Sequence, residues 1–335
     1  MNKKKVTLAD IARYAGVSKS TVSFVLNGHA KKHRITEETV QKVRDVVEQH
    51  QYAPSVYARA LKSKKTYTVG LVIPDLLNMG FATIAKELEG LCLGAGYQLL
   101  IASSDDNVEK EKRAVHNLIE RQVDLIMVAS AITEKEFYCE LNSKLPVILF
   151  DRRIEGSELP TVVTDARSAT RKLVGSMIEE STRECLFFGG LMQLSPSIDR
   201  ISGYRDALEN SVIGINSEWE YQEDYQPESG FCMMQESVEN LGRMPDAVFT
   251  ASYSILEGVL RYLSQNDLMD SGLMLGTFDN YSILDCLPIG ISSIEQDCAS
   301  ISQTLFEMMS AKLNNQVVDS QVTVLPALHH IRIKK

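Results

Sequence analysis

The 335-residue sequence lacks an apolar run long enough to cross a lipid bilayer. The longest runs, such as 69–74, are far shorter than the roughly 18–20 apolar residues that span one. Three lysines near the start could open a signal peptide, but Asp10 and Arg13 interrupt the apolar stretch that should follow. We therefore expect a cytoplasmic protein that is neither secreted nor inserted in a membrane.

Patterns for disulfides and metals are also missing. The six cysteines are scattered, with no pair at C-x-x-C spacing, and the six histidines form no H-E-x-x-H motif. Only His329 and His330 form a tight pair, and adjacent side chains point to opposite faces of a strand. We expect no disulfide framework, no metal and no cofactor.

The sequence carries none of the common signatures of α/β enzymes. No G-x-G-x-x-G follows the first predicted strand, and G-x-x-x-x-G-K-[ST] and G-x-S-x-G are both absent. His116 lies within a predicted helix, away from the strand ends where catalytic groups would gather. These absences argue against an enzyme.

The distribution of charge is the first positive indication. The whole chain has a net charge of −9. Residues 1–65 hold 14 Lys and Arg against 5 Asp and Glu, a net of +9, which leaves −18 for the remaining 270 residues. A small basic head on an acidic body predicts that only the head meets a polyanion.

The basic head has the pattern of a helix-turn-helix. Thr7, with Asp10 three residues later, is a predicted N-cap, and Ser18 caps the next helix. Gly16 supplies the positive φ of the tight turn between them. The helices are predicted over 6–13, 19–26 and about 36–49.

Short segments of the head carry a family resemblance. Thr7-Leu8-Ala9-Asp10-Ile11-Ala12, Ala15-Gly16-Val17-Ser18, Ser20-Thr21-Val22-Ser23, Leu26-Asn27-Gly28, Tyr52-Ala53-Pro54-Ser55 and Ala58-Arg59-Ala60-Leu61-Lys62 together resemble the start of the lactose-repressor (LacI/GalR) family of bacterial transcription regulators. The resemblance implies a helix-turn-helix DNA-binding domain over 1–52, a hinge helix and linker over 53–66 that orders on operator DNA, and an effector-binding and dimerisation domain over 67–335.

The first residues of the second helix are the expected base contacts, because this part of a helix-turn-helix enters the major groove. The predicted DNA-binding residues, including phosphate contacts and the hinge, are Thr7, Ser18, Lys19, Ser20, Thr21, Ser23, Phe24, Asn27, His33, Arg34, Tyr57, Ala58, Leu61 and Lys62.

Three features of the head leave alternatives open. The family often has arginine where this chain has Phe24, which either touches a thymine methyl or packs against the third helix. The basic loop 29–34 is either a phosphate contact or a solvated surface, and the head's charge favours phosphate. The resemblance makes Leu61 a wedge in the minor groove; the alternative is a contact with the core domain.

The body alternates strands and helices from residue 68 to a strand at 273–278. The pattern predicts an α/β fold: a small all-α helix-turn-helix head plus two doubly wound parallel-sheet subdomains of periplasmic-binding-protein type. We expect an N-subdomain at about 67–163 and 294–322, and a C-subdomain at about 164–293 and 323–335.

Ligands in such folds bind outside the carboxyl ends of the strands. The hydroxyls, carboxylates, amides and guanidinium groups there suit a polyhydroxylated ligand, with one aromatic face for stacking. The alternative for each single Asp or Ser is a helix N-cap. The predicted effector-binding residues are Asp75, Phe81, Ser104, Ser130, Asp151, Arg152, Ser197, Arg200, Ser252, Asp279 and Gln296.

The resemblance extends over the body, where it looks closest to the subgroup of the family that represses sucrose-utilisation genes, and then to fructose repressors. It implies a nucleoid-associated repressor whose inducer is fructose or fructose 1-phosphate. Asp151, Arg200 and Asp279 match the family's sugar-contacting positions. Arg152 is explained either by a phosphorylated sugar or by a salt bridge to Asp151.

The resemblance also implies a homodimer or a tetramer. The sequence has no added heptad helix after residues 329–335, and we expect the dimer for that reason. Two other functions stay open: a periplasmic-type sugar-binding protein without a DNA role, and a repressor of another sugar operon.

Overall fold

The computed structural model describes residues 6–52, 65–179, 182–209 and 211–332. The chain divides into two compact units, Met1–Thr66 and Tyr67–Lys335. The first is all-helical where it is described, and the second holds two six-stranded sheets.

Three helices form the first unit: α1 (Leu8–Ala15), α2 (Lys19–Leu26) and α3 (Glu37–Gln49). A capping box starts α1, because the Thr7 hydroxyl accepts from the Asp10 amide while the Asp10 carboxylate accepts from the Thr7 amide. Gly16, at φ +62°, makes the left-handed turn that ends α1. The core of this unit is built from fully buried Ile11, Ala15, Val22 and Val43.

The first sheet of the second unit is wholly parallel, in the order β11-β5-β4-β3-β1-β2. One face is packed against two long helices and the other against two shorter ones. The strands are β1 (Thr68–Ile73), β2 (Gln98–Ser103), β3 (Leu125–Val128), β4 (Val147–Phe150), β5 (Thr161–Thr164) and β11 (Val322–Leu325); the helices are α4 (Met79–Gly94), α5 (Val108–Glu120), α6 (Lys135–Asn142) and α11 (Cys298–Leu313).

The second sheet has the order β12-β10-β9-β8-β6-β7 and is parallel except for the antiparallel edge strand β12. Helix pairs α7–α8 and α9–α10 cover its two faces. The strands are β6 (Cys185–Gly189), β7 (Glu220–Gln222), β8 (Ala247–Thr250), β9 (Met274–Phe278), β10 (Ile291–Gln296) and β12 (Ala327–His330); the helices are α7 (Ala166–Met177), α8 (Ser195–Glu209), α9 (Pro227–Leu241) and α10 (Tyr253–Gln265).

Among the described residues the chain passes between the sheets three times: from β5 to α7, from β10 to α11 and from β11 to β12. The second and third crossings come after Gln296 and Leu325, about three residues later than the expected boundaries at 294 and 323. The reason is strand pairing, since β10 pairs with β9 up to Ile294 and with β12 up to Gln296, and β11 pairs with β5 up to Leu325.

The predicted fold class is confirmed, namely a helix-turn-helix head and two mainly parallel α/β subdomains. The helices α6 and α11 and the strand β11 were not predicted, and strands at the positions of β10 and β12 were expected without bounds. No helix in the described ranges is long and apolar enough to cross a membrane.

The thiols of all six cysteines are free. In the part of the chain that the structure describes, no three His, Cys, Asp or Glu side chains cluster so that they could hold a metal ion. His329 and His330 lie on β12 and face different partners: the Ala169 carbonyl oxygen at 3.0 Å and the Glu295 carboxylate at 2.5 Å.

Candidate DNA-binding and effector sites

The first turn of α2 presents Lys19 and Ser20 to solvent. The neighbouring hydroxyls are already engaged, because Ser18 Oγ caps α2 at the Thr21 amide and also lies 2.8 Å from Thr21 Oγ1. One turn on, Asn27 Nδ2 donates to the Ser23 carbonyl at 2.7 Å. The helix therefore offers an exposed cation, Lys19, beside hydroxyl and amide groups whose positions are fixed by hydrogen bonds. Thr7 is occupied by the capping box of α1.

Phe24 contacts the basic loop of its own unit. Its ring stacks on the His33 imidazole, with centroids 3.5 Å apart and planes 11° apart, and it is half-buried. His33 lies in the loop that precedes α3, and the contact of Phe24 with a thymine methyl stays a prediction. This stack fixes His33 beside the exposed face of α2.

The basic loop 29–34 is exposed at His29, Lys31, Lys32, His33 and Arg34. Arg34 has a left-handed backbone at φ +52°. The hinge residues Tyr57, Ala58, Leu61 and Lys62 lie outside the described residues.

In the second unit an open cleft of about 840 Å³ lies between the two sheets, at the carboxyl ends of their strands. Four carboxylates and two guanidinium groups line it, together with amides, hydroxyls and aromatic rings. Eight predicted effector residues are in its wall: Asp75, Phe81, Asp151, Arg152, Arg200, Ser252, Asp279 and Gln296.

Three predicted effector residues are buried and do not line the cleft. Ser104 lies under the end of β1 and Ser130 donates to the buried Glu111 carboxylate at 2.6 Å. Ser197 is 2.6 Å from the Tyr225 hydroxyl, and it is the tyrosine that lines the cleft. The rule that ligands bind at strand ends locates the correct edge but not the depth of a side chain.

Arg152 is 5% exposed and is held by groups from three successive strand ends. Its Nη1 donates to Asp106 at 2.5 Å and to the Ser130 carbonyl at 3.3 Å, and its Nε lies 3.5 Å from Asp151. Burial acts to lower the pKa of Arg152, but Asp106 and Asp151 outweigh it and raise that pKa above its ordinary value. The guanidinium is therefore charged, and the salt bridge to Asp151 exists in the structure.

Arg200 reaches the cleft from α8, where it is 7% exposed. Its Nη1 donates to the Ala251 carbonyl at 2.6 Å, and its guanidinium carbon lies 3.8 Å from the centre of the Phe278 ring. Within the described ranges, Arg200 Nε and Arg152 Nε are both buried and neither has a hydrogen-bond acceptor, although Arg152 Nε lies 3.5 Å from Asp151. Because buried donors are normally satisfied, both guanidinium groups are set for an oxygen-rich ligand.

Asp151 and Asp279 occupy matching places in the two sheets, each directly after a strand and each with a left-handed backbone (φ +62° and +74°). Burial raises the pKa of Asp151, while Arg152 and Arg200 oppose that effect. Asp279 accepts from Gln296 Nε2 at 2.9 Å, and Gln296 in turn accepts from Thr164 at 3.0 Å. The carboxylates thus face each other across the cleft with lone pairs for sugar hydroxyls.

Several lining residues were not among the predicted set. Asn78 caps α4 and lines the cleft, and Asp106 lies two residues after the predicted Ser104. Tyr225 and Gln226 come after β7, whose carboxyl end carries the same expectation as every other strand. Applying the strand-end rule to β7 would have found both of them.

A basic helix-turn-helix unit, joined in one chain to a two-sheet body with a polar cleft, defines a ligand-responsive DNA-binding regulator. Residues 7–55 match the model of the bacterial regulatory proteins of the lacI family, and residues 174–332 match the periplasmic binding protein-like domain. The chain belongs to the lacI family of bacterial regulatory proteins.

Its relatives include sugar-operon regulators. The chain is 40% identical over 332 residues to the sucrose operon repressor of Klebsiella pneumoniae, covering 99% of both chains. It is 36% identical to the fructose operon regulatory protein of Vibrio cholerae, covering 89% of this chain and 91% of that one.

Solved structures give the same result. The Cra transcriptional dual regulator of Pseudomonas putida, in complex with fructose 1-phosphate, superposes with a TM-score of 0.75 at 35% identity, over 80% of this chain and 99% of that one. The lac repressor dimer bound to operator has a TM-score of 0.85 over 99% of both chains, and at 21% identity it shows the shared fold.

Proposed function

We propose that this chain is a DNA-binding transcriptional repressor of sucrose-utilisation genes, released from its operator by fructose or fructose 1-phosphate. One observation carries the proposal: a cleft with two buried guanidinium groups and facing carboxylates belongs to the same chain as a basic helix-turn-helix. Full-length identity of 40% to a sucrose operon repressor supports the choice of operon.

In this proposal α2 enters the major groove, and Lys19 and Ser20 contact base edges. The exposed basic loop 29–34 contacts phosphates, which orients the unit on the duplex. The family resemblance supplies the hinge role, in which Leu61 enters the minor groove with Tyr57, Ala58 and Lys62 beside it. Two such units, in a homodimer or in one half of a tetramer, bind an operator of two half-sites. This protein acts on nucleoid DNA in the cytoplasm and catalyses no reaction.

The charges of the cleft bear on the inducer. Four lining aspartates against two arginines suit the hydroxyls of a neutral sugar such as fructose. The two guanidinium groups that line the cleft, those of Arg152 and Arg200, suit the additional oxygens of a phosphate. The 35% identical Cra protein solved with fructose 1-phosphate supports the second choice.

The deciding experiment measures binding of the full chain to two labelled duplexes by fluorescence anisotropy. One duplex is the promoter region of a sucrose-utilisation gene, and the other has the same composition in scrambled order. Fructose, fructose 1-phosphate, sucrose and glucose 6-phosphate are then titrated at constant salt. We expect the chain to prefer the promoter duplex. This preference should be lost when fructose or fructose 1-phosphate is added, and kept with the other two sugars.

The two other functions give different results in the same experiment. A sugar-binding protein without a DNA role would bind sugar and show equal, weak affinity for both duplexes. A repressor of another sugar operon would prefer neither duplex, or would keep its preference in fructose and lose it in another sugar.

Arg152→Ala separates the two inducers. Loss of this guanidinium is expected to weaken fructose 1-phosphate about 10–100-fold and fructose much less, because only the phosphate brings a dianion to it. Isothermal titration of both sugars into the full-length variant measures the two losses. Equal losses would show that Arg152 supports Asp151 and does not contact a phosphate.

A further inference from the structure

Glu111 is a fully buried carboxylate that the effector site described above does not use. It projects from α5 and accepts three hydrogen bonds: from Ser130 Oγ at 2.6 Å, from the Ala131 amide at 2.6 Å and from the Tyr138 hydroxyl at 2.5 Å. A carboxylate without solvent is costly to bury unless its lone pairs are satisfied, and here several are.

Two of the donors belong to the segment that follows β3, which also contacts Arg152, and the third belongs to α6. Burial, and after it the charge of Glu111, raise the pKa of the Tyr138 phenol well above its ordinary value, so Tyr138 stays a donor. Ser130 Oγ also accepts from the Ile132 amide at 2.9 Å, which closes the turn 130–132. Glu111 therefore fixes the backbone of this turn from beneath.

The turn 130–132, fixed in this way, in turn holds Arg152. The Ser130 carbonyl oxygen accepts from Arg152 Nη1 at 3.3 Å, the same nitrogen that donates to Asp106. This carbonyl is a neutral acceptor on that nitrogen, and its direction is set by the two Glu111 bonds on either side of the Ser130–Ala131 peptide.

We infer that Glu111 is a positioning residue of the effector site, which sets the orientation of the Arg152 guanidinium through the turn 130–132. The inference rests on the proposed function for its sugar ligand, but the geometry that it describes exists without one. Loss of the negative charge of Glu111 would weaken three hydrogen bonds at once, and the Ser130 carbonyl would then be free to change its direction.

The variant Glu111→Gln keeps the size of the side chain and removes its charge. Glu184→Gln is the matched control, because Glu184 is also a buried carboxylate with several donors (Arg243 and the Asp246 amide) but precedes β6, at the amino end of the second sheet and so away from the cleft. Both variants should lose some thermal stability, so stability alone decides nothing.

The first measurement needs no ligand. In full-length protein labelled with ¹⁵N-arginine, the Arg152 Nε–H resonance is assigned by its absence from Arg152→Lys, and its hydrogen exchange is followed. We expect exchange at least about tenfold faster in Glu111→Gln than in the parent, and unchanged in Glu184→Gln. Equal exchange rates in the parent and Glu111→Gln would overturn the inference.

The second measurement is the ratio of the affinities for fructose 1-phosphate and fructose. We expect Glu111→Gln to lower that ratio about tenfold, as a misdirected charged hydrogen bond would, and Glu184→Gln to leave it unchanged. If a general loosening of the fold were responsible, both variants would shift the ratio alike, which would overturn the inference. A parent chain that binds neither sugar contradicts the proposed function, and the exchange rates still decide the role of Glu111.

Tyr138→Phe covers the case in which Glu111→Gln does not fold. It removes one of the three donors and leaves the charge, so a smaller change in the same direction is expected for both measurements. A Tyr138→Phe chain with the parent's exchange rate and affinity ratio, beside an unfolded Glu111→Gln, would reduce Glu111 to a role in stability and overturn the inference.

Discussion

Arg200 and Arg152 show how neighbours give two identical side chains different tasks. Arg152 is surrounded by carboxylates and sits within a preformed charge cluster. Arg200 has a carbonyl on one nitrogen and the Phe278 ring against its face, so its charge is compensated less completely. A ligand therefore gains more from Arg200 as a direct partner.

Arg200→Ala should accordingly abolish the response to sugar. A hydrogen bond to a charged group contributes about 1.5–3 kcal/mol, so the affinity for the inducer should fall about 10–150-fold. Operator binding should persist in sugar concentrations that release the parent chain. Isothermal titration with sugar and an anisotropy assay with operator measure the two effects.

The matched control is Arg167→Ala. Arg167 lies on α7 and pairs with Asp206 on the surface, where its side chain is 58% exposed. Surface ion pairs contribute little, so this variant should bind sugar like the parent. Release of the Arg200 variant from operator at parental sugar concentrations would show that Arg200 is not a ligand contact.

Residue identities in the cleft could be predicted from the sequence only up to the depth of each side chain. Asp151 and Asp279 follow strands and do line the cleft, while Ser104 and Ser130 also follow strands and are buried beneath it. Position after a strand is a local property, whereas depth depends on α5 and α6 packing from elsewhere in the chain.

At the scale of elements, the helices α9 and α10 pack unusually closely at two glycines. A Cβ at Gly258 of α10 would lie 1.9 Å from the Pro227 carbonyl oxygen of α9, and one at Gly230 would lie 2.1 Å from the Ile255 carbonyl oxygen. Backbone lies directly against backbone there, so no side chain can turn aside to make room.

Gly258→Ala should therefore destabilise the chain by about 1–3 kcal/mol or more, because overpacking must be relieved by moving a helix. Gly175→Ala in α7, where the added Cβ meets nothing within 4 Å, should stabilise it by about 0.5–1 kcal/mol. Urea unfolding followed by circular dichroism measures both. A Gly258 variant as stable as the Gly175 variant would contradict the packing described here.

The helix α2 allows a test of base contact against phosphate contact. Lys19→Ala should lower the preference for operator over scrambled DNA, expressed as a difference in binding free energy, by about 1–3 kcal/mol. The reason is that Lys19 lies at the exposed start of the helix. Lys31→Ala, in the basic loop, should weaken both duplexes alike and reduce the slope of log K against log salt by about 1. Anisotropy over a salt series provides these values. Equal weakening of both duplexes by Lys19→Ala would make Lys19 a phosphate contact.

Elements differ in how well the sequence announces them. The buried strand β1 is a continuous apolar run, and α2 begins at a serine cap, so both were predicted almost to the residue. Strands β11 and β12 are short and half exposed, and their partner strands lie far from them in the sequence; β11, for example, pairs with β5. Their patterns carry no local information about those partners. For α11 the information was present, since Ile301, Leu305, Met309 and Leu313 repeat every four residues on its buried face.

On the scale of the whole molecule, the reversal of charge along the chain separates two tasks. The positive unit suits DNA, and the acidic body, with net −18 beyond residue 65, is repelled by it. Two sheets joined by crossings at three places let one body close around a ligand without breaking either core. Sequence predicted this division well, because charge and strand-helix alternation are summed over many residues.

The last prediction follows from both tasks being in one chain. If sugar in the cleft weakens operator binding, operator must weaken sugar binding by the same factor, typically about 5–150-fold for a coupling of about 1–3 kcal/mol. All four edges of this cycle can be measured on the full chain at one salt concentration: operator affinity with and without saturating fructose 1-phosphate, and sugar affinity with and without saturating operator. The two ratios should agree within error. Scrambled DNA in place of operator should give a smaller ratio, because DNA that binds weakly stabilises the conformation that sugar disfavours by a smaller amount. Sugar that binds the cleft tightly and leaves operator affinity unchanged would contradict the proposed induction, even if the chain binds both ligands.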